Sequence, residues 1–107
     1  MAIVPFPFTE RPGAKQRPAL VLSKRIFNSR GHTVLAMITS SAHSPWPGDI
    51  NVRDYGPAGL RAPCIIRLKL FTLDNRLILK TLGRLSSHDR HAVTAALQKY
   101  ISLGLTY

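Results

Sequence analysis

The apolar residues of this chain come in runs too short to build a helical core. Residues 18–23 and 33–40 are brief, continuous stretches rich in Val, Leu and Ile, the pattern of strands buried on both faces or curled into a barrel. From Cys64 the pattern becomes alternation, with Ile66, Leu68 and Leu70 expected on a core face and Arg67 and Lys69 on a cationic one. Pro5 and Pro7 interrupt the first apolar stretch, so residues 2–8 suit an edge or bulged strand, because proline cannot donate to a ladder. A polar, Gly-containing loop at 9–17, a cationic joining segment at 24–32 and a Ser/Pro/His-rich loop at 41–48 separate these strands. Weaker strands are expected at 49–52 and 79–85. Only after Ser86-x-x-Asp89, a capping-box pattern, do Val93, Ala96, Leu97, Tyr100 and Ile101 recur at helical spacing. The sum is five to seven short strands and one clear helix, in a single domain of 107 residues shaped as a small, strongly bent sheet or barrel.

Charge narrows the partners. The chain has 15 Lys plus Arg against 5 Asp plus Glu, a formal net charge of +10, which draws it toward polyanions. Nucleic acid, an acidic protein and an anionic membrane all qualify, and a membrane is the weakest of the three, because no apolar run approaches the roughly 20 residues needed to span. The start M-A-I-V-P-F-P-F has no basic leader and is cut by two prolines, unlike a signal peptide. The lone Cys64 allows no intrachain disulfide, and both features point to the cytoplasm.

Several residues are candidates for chemistry. Arg17 sits at a strand start fixed by Pro18, and a guanidinium held there can take a phosphate bidentately; pairing with Glu10 or a backbone carbonyl is the structural alternative. Thr39, Ser40 and Ser41 end an apolar strand, where hydroxyls donate either to a phosphoryl oxygen or to the backbone. Lys15, Arg67 and Lys69 supply cations. His32, His43, His88 and His91 lack metal-ligand spacing, so no metal and no cofactor are expected. His43 follows Thr39 by four residues, and a histidine there offers either a proton-transfer group for the site or simply a solvated loop residue. Trp46 and Phe8 offer faces for stacking on unpaired bases. Glycine-rich phosphate loops, H-E-x-x-H and G-x-S-x-G are absent.

In order, V-P-F-P-F-T, K-Q-R-P-A-L-V-L-S, A-M-I-T-S, G-D-I, A-G-L-R-A-P, R-L-K-L-F-T-L-D and L-G-R-L-S resemble the MazF/PemK toxin family from about Ala2 to Leu103. The resemblance implies a mainly β fold with a C-terminal helix: a small SH3-like curled antiparallel β-barrel, homodimeric. The implied activity is metal-independent, sequence-selective cleavage of single-stranded RNA, restrained by an acidic antitoxin. The family's catalytic arginine and threonine map onto Arg17 and Thr39. Lys15, Ser40, His43, Arg67 and Lys69 are then candidate RNA-binding residues. Attack of a ribose 2′-hydroxyl on phosphorus loads charge onto nonbridging oxygens that Arg17 and Thr39 can stabilise, leaving a 2′,3′-cyclic phosphate and a 5′-hydroxyl. Arg17 suits stabilisation rather than proton abstraction, because a guanidinium keeps its proton in a protein.

Two features depart from the family pattern. Its members usually open with a basic residue and Gly-Asp, whereas this chain starts Met1-Ala2-Ile3, which reads as a truncated start or a shortened edge. Several branches carry an aspartate two residues after the strand arginine, where this chain has Lys69. A degenerate member that binds RNA or antitoxin without cleavage is therefore a second reading. Gyrase inhibition, as in the CcdB toxins of the same fold, is a third, although S-L-G-L-T-Y lacks their tryptophan-bearing tail.

Overall fold

In the structure, a computed structural model that describes residues 1–6, 15–40 and 44–105, the short apolar runs become six antiparallel strands of one sheet. They are β1 (Ala2–Phe6), β2 (Lys15–Val21), β3 (His32–Ser40), β4 (Ile50–Asn51), β5 (Cys64–Asp74) and β6 (Lys80–Thr81), in the order β4-β5-β3-β2-β1-β6. A short helix α1 (Arg25–Asn28) interrupts the β2–β3 connection, and α2 (Ser87–Tyr100) follows the sheet. The sheet is curled but open, with β4 and β6 at its two ends, rather than a closed barrel.

Adjacent apolar residues of the central strands face opposite ways and both are buried. Leu20, Ala36, Ile38, Ile50 and Ile66 join Val52, Ala58, Leu60 and Val93 of α2 in one cluster. Ala2, Val4, Ala19, Leu35 and Leu73 form a second cluster on the other face. Leu35 and Ile66 are fully enclosed, each worth roughly 1.5–3 kcal/mol of transfer free energy. This two-sided burial is why residues 18–23 and 33–40 read as continuous apolar runs rather than alternating ones.

Pro5 is accommodated by the end of a ladder. Leu82 N–H donates to Met1 O and Leu79 N–H to Ile3 O, so the odd residues of β1 turn their backbone toward β6. The β1–β6 pairing stops at Ile3↔Lys80, and Pro5 falls beyond it, where no strand asks for its missing N–H.

Two expectations are corrected. The strand expected at 79–85 is only Lys80–Thr81, because the chain leaves the sheet to cross the loop at residues 57–59. There a Cβ on Gly83 would lie 2.0 Å from Pro57 O, and Gly59, at φ +83°, faces the Gly83 nitrogen. Only paired glycines allow that backbone contact, so A-G-L-R-A-P and L-G-R-L-S meet at their glycines. Second, the alternation of β5 fails after Ile66. Met37 pairs with Arg67 but Ala36 pairs with Leu70, so Leu68 and Lys69 are extra residues in a bulge, and Leu70 is left 43% exposed. Arg67, expected on an outward cationic face, is 8% exposed because the 44–49 segment folds over it.

The helix start follows a variant of its capping-box pattern. Ser86 Oγ accepts from Asp89 N–H, but the Asp89 carboxylate does not turn back to the cap. It accepts from the backbone N–H of Arg53 at 3.0 Å and of Asp54 at 2.8 Å, tying α2 to the segment after β4. Among the described residues no helix is long and apolar enough to cross a membrane.

Candidate functional site

Arg17 projects from β2 on the face of the second cluster. It pairs across the ladder with Val4, and Ala19, next but one along β2, belongs to that cluster. It is exposed, and its guanidinium carbon lies 5.6 Å from the Phe6 ring centroid, a cation–π contact that restricts the side chain without consuming its donors. Pro18 fixes the following φ. Lys15, two residues earlier on the same face and paired with Phe6, is also exposed.

Thr39 shares this face. The β2–β3 ladder ends at Ala19↔Met37, and Arg17 and Thr39 each lie two residues beyond that pair on the same face of their strands. Side chains on one face of neighbouring strands can reach a common ligand. Thr39 is half-buried, and Ser40, the last residue of β3, is exposed. Val4, Phe6, Arg17, Ala19, Met37 and Phe71 line a shallow apolar hollow beside this pair.

Arg67 pairs with Met37, so it belongs to the same face, but its Nε and one terminal nitrogen are already engaged. Nε and one terminal nitrogen bond the Asp49 carboxylate at 3.1 and 2.9 Å, and that terminal nitrogen also reaches Ser44 O at 2.6 Å. Hydrogen bonding to Arg67 holds the Asp49 carboxyl below the usual carboxylate range, and the same bond raises the Arg67 pKa. Trp46 N–H also donates to Asp49, at 2.9 Å. With both oxygens engaged, Asp49 is a poor proton acceptor and a good clamp on the 44–49 segment. Lys69 is exposed, its ammonium 4.3 Å from the Trp46 ring centroid. His43, Ser41, Phe8 and Glu10 lie outside the described residues.

The described carboxylates are committed elsewhere. Asp49 holds Arg67, Asp54 pairs with Arg53, Asp74 with Arg76, and Asp89 with backbone N–H groups. None of these four lies on Arg17. One group of possible metal ligands occurs among the described residues: Asp54, His88 and Asp89, with ligand atoms within 4.8 Å of one another. Its members already bond to Arg53, to backbone donors and to each other.

The sequence picked out Arg17, Thr39 and the cations but missed Asp49. The signal was a carboxylate directly before β4, the neighbour of the arginine-bearing strand, as G-D-I and R-L-K-L both carry. The Trp46–Lys69 contact depends on the β5 bulge, and no local pattern announces it.

Comparison with known proteins adds a family. No curated protein sequence matches. Among solved structures, an endoribonuclease in complex with its cognate antitoxin from a mycobacterial species superposes with a TM-score of 0.68 at 18% identity, covering 99% of this chain and 94% of that one. The Mycobacterium tuberculosis toxin MazF-mt6 gives 0.67 at 18%, covering 92% and 94%. A further Mtb toxin gives 0.65 at 19%, covering 78% and 90%. At these identities the structures establish a shared fold. The family model for the PemK-like, MazF-like toxin of type II toxin-antitoxin systems matches residues 1–101. The match takes in all six strands and the whole of α2, and with it Arg17 and Thr39; the chain belongs to the PemK-like, MazF-like toxin family of type II toxin–antitoxin systems.

Proposed function

We propose that this chain is a sequence-selective, metal-independent endoribonuclease toxin that cleaves single-stranded RNA. The observation that supports the reading is that Arg17 and Thr39 each lie two residues beyond the Ala19↔Met37 pair, on one face, where none of the described ion pairs engages the arginine. The 2′-hydroxyl oxygen of one ribose attacks the adjacent phosphorus, its proton leaves to a base, and the bond to the 5′-oxygen of the next nucleotide breaks as that oxygen takes up a proton, giving a 2′,3′-cyclic phosphate and a 5′-hydroxyl. Arg17 stabilises the charge that builds on the nonbridging oxygens, and Thr39 donates its hydroxyl to one of them. Phe6 limits the sweep of the guanidinium, so less order is lost when substrate arrives.

In this reading Lys15 and Ser40 hold neighbouring phosphates, and Lys69 holds one further along. Arg67, clamped by Asp49, acts by fixing the 44–49 segment more than by reaching RNA itself. With the described carboxylates engaged, His43 is the group to test as general base. The expected partners are RNA, a second copy of the chain and an acidic antitoxin; the mycobacterial relative solved with its cognate antitoxin supports the last. We place the toxin, as one domain, in the cytoplasm.

The engagement of Arg67 and the lysine at position 69 favour a second reading, a family member that binds RNA or antitoxin without cutting. Incubation of mixed-sequence single-stranded RNA in EDTA, with wild type and Arg17→Ala, separates the two. Cyclic-phosphate ends at one short motif, lost in a folded Arg17→Ala variant, are expected. Intact RNA bound by folded wild type establishes the second reading instead.

A further inference from the structure

Trp46 is the chain's sole tryptophan, and it is not in the core: 39% of it is exposed. Its backbone is nevertheless tightly held. Trp46 N–H donates to the Asp49 carboxylate, Asp49 N–H donates to Trp46 O at 3.1 Å, and Pro45 and Pro47 restrict the chain on either side. An exposed aromatic on a braced loop is a rigid surface feature that loses little order when a ligand packs on it.

Its surroundings say what kind of ligand. The Lys69 ammonium sits 4.3 Å from the ring centroid, put there by the bulge that inserts Leu68 and Lys69 into β5. The ring also borders an open groove between the 44–51 segment and α2, with small side chains at Ala92, Ala95 and Ala96. Arg67, 5.9 Å from the same ring, joins this loop to the face that carries Arg17 and Thr39 through its pairing with Met37. A flat π surface, an adjoining mobile cation and room for a planar group match one nucleotide, base and phosphate together.

We propose that Trp46 is a stacking platform for an unpaired nucleobase of the RNA, and that Lys69 leaves the ring to meet the phosphate attached to that base. In the free protein Lys69 covers the ring; in the complex the base replaces it, and each cationic and aromatic group exchanges one partner for a better one. The platform deepens the endoribonuclease reading and rests on it for the identity of the polymer. It assigns substrate selection to a loop separate from the Arg17–Thr39 pair.

The test uses intrinsic tryptophan emission, which reports Trp46 alone, with a pool of short 2′-O-methylated single-stranded oligonucleotides that bind but offer no 2′-hydroxyl to react. The oligonucleotides should quench the emission, while polyphosphate or polyglutamate of matched charge should not. By anisotropy of a labelled oligonucleotide, Trp46→Phe should bind within about threefold of wild type, and Trp46→Leu, apolar but without a π face, about tenfold more weakly. Lys69→Gln should lower the salt slope of log K by about one. Equal quenching by a base-free polyanion, or wild-type affinity in Trp46→Leu, overturns the platform. Cleavage of unmodified RNA is scored separately. If quenching and the Trp46→Leu loss persist but RNA stays intact, the nuclease reading falls and the platform stands. If Trp46→Leu cleaves as fast as wild type, the platform falls and the nuclease stands.

Discussion

Replacing Asp89 should uncouple α2 from the sheet, and the size of the effect can be worked from its bonds. Asp89 is fully buried. One oxygen accepts from Arg53 N–H and lies 3.2 Å from His88 Nδ1; the other accepts from Asp54 N–H. Asparagine keeps the shape but turns an amide N–H₂ toward one of these donors, so one charge-assisted bond is lost, about 2 kcal/mol. Alanine loses both backbone bonds, about 4 kcal/mol. For a chain of this size those losses lower Tm by about 10 °C and about 20 °C. Burial alone would raise the Asp89 pKa, but the bonds from Asp54, Arg53 and His88 outweigh it and hold the carboxyl below its ordinary value. Its stabilisation is therefore complete above the unfolded pKa of about 3.9 and is lost as pH falls through the lower folded value. Thermal melts of wild type, Asp89→Asn and Asp89→Ala at neutral pH and across the acid range measure both. The gap between wild type and Asp89→Asn should close at acid pH, once the native carboxyl is protonated. An Asp89→Asn Tm within about 2 °C of wild type at neutral pH would refute the assignment.

Gly83→Ala should be among the most disruptive single-methyl changes, since its Cβ would meet backbone, not a side chain that can move. The variant should be poorly folded by circular dichroism, whereas Gly31→Ser, where a Cβ meets nothing within 4 Å and only the positive φ is strained, should fold with a lowered Tm. For the proposed reaction, Thr39→Val should reduce the cleavage rate by about 10²–10³ as loss of one transition-state donor, and Thr39→Ser should restore most of it. Equal rates in Thr39→Val and wild type would remove the hydroxyl from the mechanism.

What the sequence revealed was what neighbours along the chain decide. Two-sided burial writes continuous apolar runs, so β2 and β3 were visible; Ser86 and the 3.6-residue spacing announced α2; prolines marked the limited pairing of β1. What it hid depends on chain that arrives from elsewhere. The β5 alternation predicted an outward Arg67, and the residue is in fact covered, because Asp49 and Ser44 come from a segment about 20 residues earlier and a two-residue bulge resets the strand's facing. α1 was missed because four residues bury no side chain and leave no period; contacts such as that from Asn75 Nδ2 to Asn28 O hold it.

The same long-range pairings explain how a chain with so few acids keeps an open cationic face. With a net charge of +10, scattered carboxylates would neutralise whichever arginine they met first. Instead, Asp54 and Asp74 pair with arginines one and two residues away, Asp89 is spent on backbone donors, and Asp49 is locked on Arg67. Local pairs of this kind add little stability on the surface, but they keep acid away from β2. Arg17 and Lys15, on the face of β2 that carries the proposed site, are in none of the described ion pairs, whereas Arg67, held by Asp49, lies against the Trp46 ring. Reversing that allocation is a direct test of the electrostatics: Lys15→Glu, exposed on the same face of β2 as Arg17, exchanges a positive for a negative charge on the open face and should weaken RNA binding more at low salt than at high. A Lys15→Glu variant with wild-type affinity at low salt would mean that the face around Arg17 is not where the polyanion lies.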